Sequence, residues 1–303
     1  MATADPRREP LNQLGRIARY YRLLYSLAGE ERLRPATVFF RTVELEVVLS
    51  EVRPFGRLLD VGCGSGGITR VLRPFWPDVQ ELVGFDLDGG EVRQARTKSL
   101  YDELVVCPGD RTPFPSGSFD FLFSNSVLEH IADLDSVLKE LSRVLKPTGR
   151  FAFTVPTANL PDLLLGPRLP ATLYLPKTRT AYVDEFNKRT DVPYYRSLEQ
   201  WEELLRSSGF SVDRAIPYLS PVEIRIWEYY ANSTGGLVYA LHGGRKKLEH
   251  IEQNSAALSR PTAVSTFLNL LLGIPVLTQG LLARQLERNP SAHGCVLITG
   301  GRR

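Results

Sequence analysis

Asp60, Asp86, Asp110 and His130 each stand at or just beyond the end of a short apolar run, where a parallel strand would present a side chain to a ligand. Asp60 belongs to the stretch Leu58-Leu59-Asp60-Val61-Gly62-Cys63-Gly64-Ser65-Gly66-Gly67, which reads as a buried strand turning through glycines into a helix. The glycines allow a sharp turn and a close approach of backbone to ligand. Gly62-x-Gly64-x-x-Gly67 also satisfies the dinucleotide fingerprint, so the pattern alone leaves nicotinamide and flavin sites open. Asp60 adds a sign: a carboxylate beside the loop repels a pyrophosphate and attracts ammonium or sulfonium charge.

A second acid, Asp86, ends the run Glu81-Leu82-Val83-Gly84-Phe85-Asp86, twenty residues beyond Gly66. A carboxylate there can accept both hydroxyls of a ribose held at the adjoining loop. Asp88, two residues on, reads as the N-cap of a helix carrying Val92 and Ala95. Asp110 follows a third run, Leu104 to Cys107, and a fourth, Phe119 to Ser124, leads into Ser124-Asn125-Ser126-Val127-Leu128-Glu129-His130. His130 is one of four histidines in the chain, and a neutral imidazole near a reacting group can take a proton.

The stretch ending in Gly62-Cys63-Gly64-Ser65-Gly66 resembles motif I of the class I S-adenosylmethionine (SAM) dependent methyltransferases, an acid followed by Gly-x-Gly-x-Gly. The segment Gly109-Asp110 to Pro113-Phe114 and Ser118-Phe119-Asp120 is similar to another of that family's signatures, as is the turn Leu145-Lys146-Pro147-Thr148-Gly149. The resemblance implies SAM as cofactor, with the methionine part held by Asp60, Gly62, Cys63, Gly64 and Gly66. It further implies the ribose on Asp86, the adenine beside Leu87, Asp110 and Arg111, and a further contact at Ser124. His130 is the candidate general base. No dedicated triad is expected, because methyl transfer is an in-line displacement that depends mainly on positioning and exclusion of water.

The elements that must position these residues alternate strand and helix. Five strands end at Phe151 to Val155, the capping box Ser197 to Gln200 starts a helix that Gly209 ends, and Phe210 to Ile216 makes strand six. Gly294 to Thr299 reads as strand seven, almost eighty residues later. The alternation implies an α/β fold, a doubly wound Rossmann-like sheet, and the resemblance to the methyltransferase family implies seven strands with strand seven antiparallel. Helical insertions follow strand five and separate strands six and seven. The expected division is an N-terminal helical lid over 1–35 and a SAM-binding domain over 36–303, with acceptor-binding insertions at 156–196 and 217–292. Residues 11–28 form an amphipathic helix on which Tyr20 and Tyr21 are lid candidates.

The second insertion holds a basic patch, Arg245-Lys246-Lys247, and a charge-free run, 261–283, long enough to cross a bilayer. Strand seven must return to the sheet of strand six, which rules out a single span between them. Gly273, Pro275 and Gly280 are expected to interrupt the run. It reads as a buried helical cap, a peripheral membrane contact or an oligomer face.

Composition sets the bounds. The chain has 303 residues, 43% hydrophobic and 23% charged, as in a globular protein, and its net charge of +3 gives no field for nucleic acid. Cys63, Cys107 and Cys295 lack any metal-ligand spacing, so no metal site is expected. Without a disulfide framework or a signal-peptide pattern over Met1 to Pro10, a cytoplasmic protein is expected, peripheral at a membrane if the apolar run binds one. The apolar and aromatic insertions favour a small lipophilic acceptor such as a quinone, isoprenoid, polyketide or lipid-linked sugar. An NAD-linked oxidoreductase and a non-catalytic SAM-binding interaction module are the rival readings.

Overall fold

A computed structural model describes residues 13–30, 35–166, 178–190, 192, 194–232, 263–286 and 292–303. Seven strands form one sheet in the order β3-β2-β1-β4-β5-β7-β6. They are β1 (Gly56–Val61), β2 (Val79–Asp86), β3 (Glu103–Val106), β4 (Phe119–Asn125), β5 (Leu145–Pro156), β6 (Phe210–Tyr218) and β7 (Cys295–Arg302). Strands β1 to β5 pair in parallel, and β7 runs antiparallel to both β5 and β6. The strand order reverses between β1 and β4, so the crevice for a ligand opens above their carboxyl ends. Asp60 lies opposite Gly84 of β2 and Phe123 of β4 in that register.

Both faces of the sheet are covered. On one, α5 (Leu134–Val144) and α8 (Leu198–Ser207) pack Leu138, Leu141, Trp201 and Leu205 onto Leu59, Val61 and Phe153. The capping box expected at Ser197 and Gln200 starts α8. On the other face lie α1 (Gln13–Glu30), α2 (Pro35–Glu51), α3 (Gly67–Leu72), α9 (Pro221–Ala231) and α10 (Ala263–Leu286). Between them in sequence come α4 (Gly89–Thr97), α6 (Leu160–Leu163) and α7 (Arg179–Thr190).

The N-terminal helices α1 and α2 and the described helices α9 and α10 make a single helical layer. Helix α2 is at its centre, in contact with α1, α9 and α10 and with twelve of its seventeen residues buried, which is why it lacks a polar face. Tyr20 is buried in this layer, and the Tyr21 hydroxyl lies 2.8 Å from Thr278 Oγ1 of α10. Both candidate lid tyrosines are therefore occupied in helix packing.

Helix α10 departs from the expected interruption, running unbroken over 24 residues with Pro275 inside it. Its glycines are packing sites. A Cβ at Gly273 would meet Leu24 of α1 at 3.3 Å, and one at Gly280 would meet Phe39 of α2 at 2.7 Å. Among the described residues no helix is long and apolar enough to cross a membrane. The basic patch at 245–247 lies outside the described residues.

Candidate functional site

The glycine loop leaves β1 with Gly62, Gly64 and Gly66 all at positive φ, 69°, 51° and 73°. Side chains with a Cβ rarely adopt that conformation. Their surroundings differ. A Cβ on Gly62 would lie 2.5 Å from Val127 Cγ1 and one on Gly66 would lie 3.0 Å from the Tyr101 ring, whereas one on Gly64 would meet only Glu91 Oε2, at 3.8 Å. Gly62 and Gly66 thus serve packing, and Gly64 borders open space.

Strand alternation sends Asp60 to the face of Leu58, beneath the loop. It is buried, and its Oδ2 accepts hydrogen bonds from Thr69 Oγ1 and the Tyr101 hydroxyl, both at 2.6 Å. Burial pushes its pKa up to about 6, against the lowering effect of those two donors. Burial also raises Tyr101 well above the ordinary tyrosine range. Asp60 thereby ties the start of α3 to the segment before β3, a fixed base for the loop above.

Asp86, half-buried at the end of β2, takes the Gly64 N–H on Oδ2 at 2.8 Å and the Asp88 N–H on Oδ1 at 2.9 Å. One acceptor site remains on each oxygen. Asp88 caps α4 as expected, accepting from Gly90 and Glu91. Leu87 beside it is 73% exposed and Val106, on the next strand end, is 50% exposed, so two bare apolar side chains flank the carboxylate. Asp110 and Arg111 are exposed on the following segment. That segment is pinned from α5: Glu140 Oε1 accepts from the Thr112 N–H at 2.8 Å, and Arg143 donates to the Phe114 carbonyl at 2.8 Å. Its bonds from Arg143 hold Glu140 down to about 2.

Ser124 and Cys63 are structural neighbours of the loop. Ser124 is fully buried and donates to the Val61 carbonyl at 3.2 Å, joining β4 to β1. The buried Cys63 thiol is pushed far upward by desolvation, and the Cys63 N–H bonds to Phe85. His130 lies in a short turn after β4 with a third of its side chain exposed, its Nε2 3.9 Å from Glu129 Oε1.

Sequence reasoning missed an acidic core on the other side of the crevice. Glu44 of α2 is fully buried, its Oε1 accepting from Ser126 Oγ at 2.9 Å and the Tyr218 hydroxyl at 2.7 Å. Its Oε2 takes Arg41 Nη1 at 2.5 Å, and the same Nη1 reaches Asn125 Oδ1 and Ser126 Oγ. Asn125 also donates to Thr154 of β5 at 2.8 Å. Burial drives Glu44 upward, but the Arg41 charge and the three donors outweigh it, and its pKa lies below the ordinary value. Next to this network is Glu129, buried, with burial pushing it up to about 8. The signal for Glu44 was its place in the apolar helical run Val43 to Leu49, where an acid needs a partner. Glu129 offered only adjacency to His130.

The first insertion is fastened to the second by another buried carboxylate. Glu228 of α9 accepts from the Leu165 and Gly166 amides at 2.7 and 2.9 Å and from the Tyr182 hydroxyl at 2.6 Å. Among the described residues no group of acids, histidines or cysteines could hold a metal ion.

Residues 59–153 match a family described as a methyltransferase domain. Over 113 residues the chain is 36% identical to a malonyl-(acyl-carrier protein) O-methyltransferase from Enterobacter lignolyticus, an overlap of 37% of this chain and 43% of that protein. It is 26% identical over 212 residues to a 2-methyl-6-phytyl-1,4-hydroquinone methyltransferase from Synechocystis, an overlap of 67% of this chain and 63% of that protein. The chain thus spans less than two thirds of the length of either relative. The fold is shared with a SAM-dependent methyltransferase structure from Thermotoga maritima at TM-score 0.51 and 16% identity, over 88% of this chain and 91% of that one. An open Gly64, an Asp86 with acceptor capacity left and a bare apolar pair beside it fit the nucleoside and sulfonium ends of SAM.

Proposed function

We propose that this chain, which carries a class I SAM-dependent methyltransferase domain, transfers the methyl group of SAM to a small lipophilic acceptor held above β4 and β5. When bound, SAM supplies a methyl group on a cationic sulfur, an electrophile that needs only an aligned nucleophile. The observation that carries this reading is the Asp86 to Gly64 bond at the strand-order reversal, where a carboxylate with unused acceptor sites borders an open glycine.

Asp86 would receive the ribose hydroxyls on its remaining lone pairs, and Leu87 with Val106 would cover the adenine faces. Asp110 and Arg111 would meet the edge of that ring. The loop Gly62 to Gly66 would hold the methionine part through its backbone, with Asp60 acting from beneath as the anchor of the loop and Cys63 and Ser124 as its packing. His130 and the Arg41–Glu44 group would stand on the acceptor side. The elements after β5 and between β6 and β7, joined by Glu228, would wall the acceptor pocket, and α1 would close the layer behind them.

A lipophilic acceptor is supported by the apolar make-up of those elements and by the phytyl hydroquinone on which the Synechocystis relative acts. Phe267, Leu271, Ile274 and Leu282 on α10, with Leu14 and Tyr25 on α1, are exposed apolar side chains that favour peripheral contact with a bilayer, from which such an acceptor would be drawn. Incubation of the full chain with methyl-labelled SAM and a panel of alkylated hydroquinones, lipid extract and fatty acyl carriers tests the reading. Label in a lipid-soluble product is expected; binding of NAD and none of SAM would instead place the chain among oxidoreductases.

A further inference from the structure

Glu129 lies in the turn Leu128–His130, directly after the strand that borders the crevice, and is 3% exposed. Its Oε2 has no hydrogen-bond partner among the described residues, although it is cut off from solvent. Burying such an oxygen unpaired is costly, and a catalytic role is one of the reasons for which folds retain the arrangement. The groups that face it come from several elements. Arg41 and Glu44 act on it from α2, its own charge is felt by Tyr195 and by Cys295 of β7, and His130 is its neighbour in the chain.

Arg41 is shared, bonded to Glu44 at 2.5 Å while its charge also acts on Glu129. The pair presents nearly balanced charge, Arg41 favouring the ionised form of Glu129 and Glu44 opposing it, and desolvation decides. Ionised Glu129 is therefore a strong base for a carboxylate. His130, a third exposed, is more open to solvent and less suited to hold a proton away from water.

We propose that Glu129 is the acceptor-side base, its buried carboxylate taking the proton of an acceptor O–H while that oxygen attacks the methyl group. The proposal rests on the methyl-transfer reading and adds to it the acceptor class, a weakly acidic hydroxyl such as that of a phenol or hydroquinone. In the step, the O–H bond breaks and its proton passes to Glu129. The oxygen lone pair forms the new O–C bond, and the S–C bond breaks with its electrons kept by sulfur. A carboxylate and a sulfonium become a neutral acid and a neutral thioether, so charge is annihilated in a site shielded from water, the direction that burial of Glu129 favours. Burial sets the pKa of Glu129 at about 8, within reach of a phenolic proton, whereas an ordinary glutamate would be too weak a base.

The test uses the full chain in two arms. Carbon-13 NMR of glutamate-labelled protein with S-adenosylhomocysteine bound should show one side-chain carboxyl titrating near pH 8 that is absent from Glu129→Gln. A Glu129 signal titrating with the ordinary carboxylates below about pH 5 overturns the proposal whatever the turnover. In the second arm, transfer of labelled methyl to alkylated hydroquinones should rise with pH to a plateau above about 8. Glu129→Gln should lower kcat about 100-fold or more and flatten that profile with SAM affinity unchanged, while Glu129→Asp keeps the rise. A Glu129→Gln enzyme with wild-type rate and pH profile overturns the proposal. Wild-type protein that binds no SAM in calorimetry would instead refute the methyl-transfer reading.

Discussion

The two sides of the crevice are built differently. On the glycine-loop side, charged groups are satisfied over modest sequence distances: Asp60 by Thr69 and Tyr101, Asp86 by Gly64 and Asp88. On the facing side, Glu44 collects donors from residues 126 and 218, and Glu129 has an oxygen with no partner among the described residues. The first side is a closed set that presents backbone and two spare lone pairs to whatever binds. The second keeps ionisable groups in low dielectric, where each is costly and each responds strongly to a change in its partners.

The largest expected effect breaks the facing side. Glu44→Ala removes the buried carboxylate that partners the part-buried Arg41 and accepts from Tyr218 and Ser126. A loss of about 3–5 kcal/mol is expected, read as a lowered urea midpoint at unchanged slope. A loss below about 1 kcal/mol would mean that water replaces the carboxylate and that the two sides do not differ in this way.

The glycine-loop side should show its character in pH dependence. Asp60 is fully buried and its pKa is raised from 3.8 to about 6, so the unfolded chain releases its proton first as pH rises. The stability it contributes is fully present below about pH 4 and is lost through about pH 6, on the order of 3 kcal/mol at about 1.4 kcal/mol per unit. Denaturation of wild type and Asp60→Asn across pH 4 to 7 isolates that slope. Equal slopes would show that Asp60 is no less hydrated than an ordinary aspartate.

Gly62→Ala couples the two sides, since its Cβ would press on Val127, which follows the Arg41-bound residues Asn125 and Ser126, at a residue with φ of 69°. Strain at such positions costs about 1–3 kcal/mol, and SAM affinity should fall with stability. Affinity preserved in a destabilised protein would mean that the loop and the turn after β4 move independently. The smallest effect belongs to the exterior: Leu271→Asp on α10 should change stability by less than about 0.5 kcal/mol yet abolish co-flotation with anionic liposomes. Unchanged flotation, or none by the wild type, removes the membrane contact.

The same contrast explains what could be read from residue order alone. The Asp88 cap and the capping box at Ser197 follow from local spacing, the antiparallel seventh strand from the resemblance to the methyltransferase family, and all three appear as expected. Asp60 reads from its charge and place as a ligand residue of the glycine loop; its bonds to Thr69 and Tyr101 beneath that loop are not legible in the sequence. Glycines and a proline suggested breaks in 261–283, yet Gly273 and Gly280 share one helix face against Leu24 and Phe39. Helix breakers in sequence became contact points once a neighbouring helix existed. Glu44 and Tyr218 are 174 residues apart, and no local pattern connects them.

The reading as a methyltransferase stands on Asp86 and the glycine loop holding SAM, and calorimetric titration of the folded full chain tests it most directly. Wild type is expected to bind SAM and S-adenosylhomocysteine at one site and not NAD, and Asp86→Ala, assayed where it remains folded, to weaken both by at least about tenfold, or about 1.4 kcal/mol. A folded wild-type chain that takes up no SAM, or an Asp86→Ala chain that binds it as tightly, would contradict that reading.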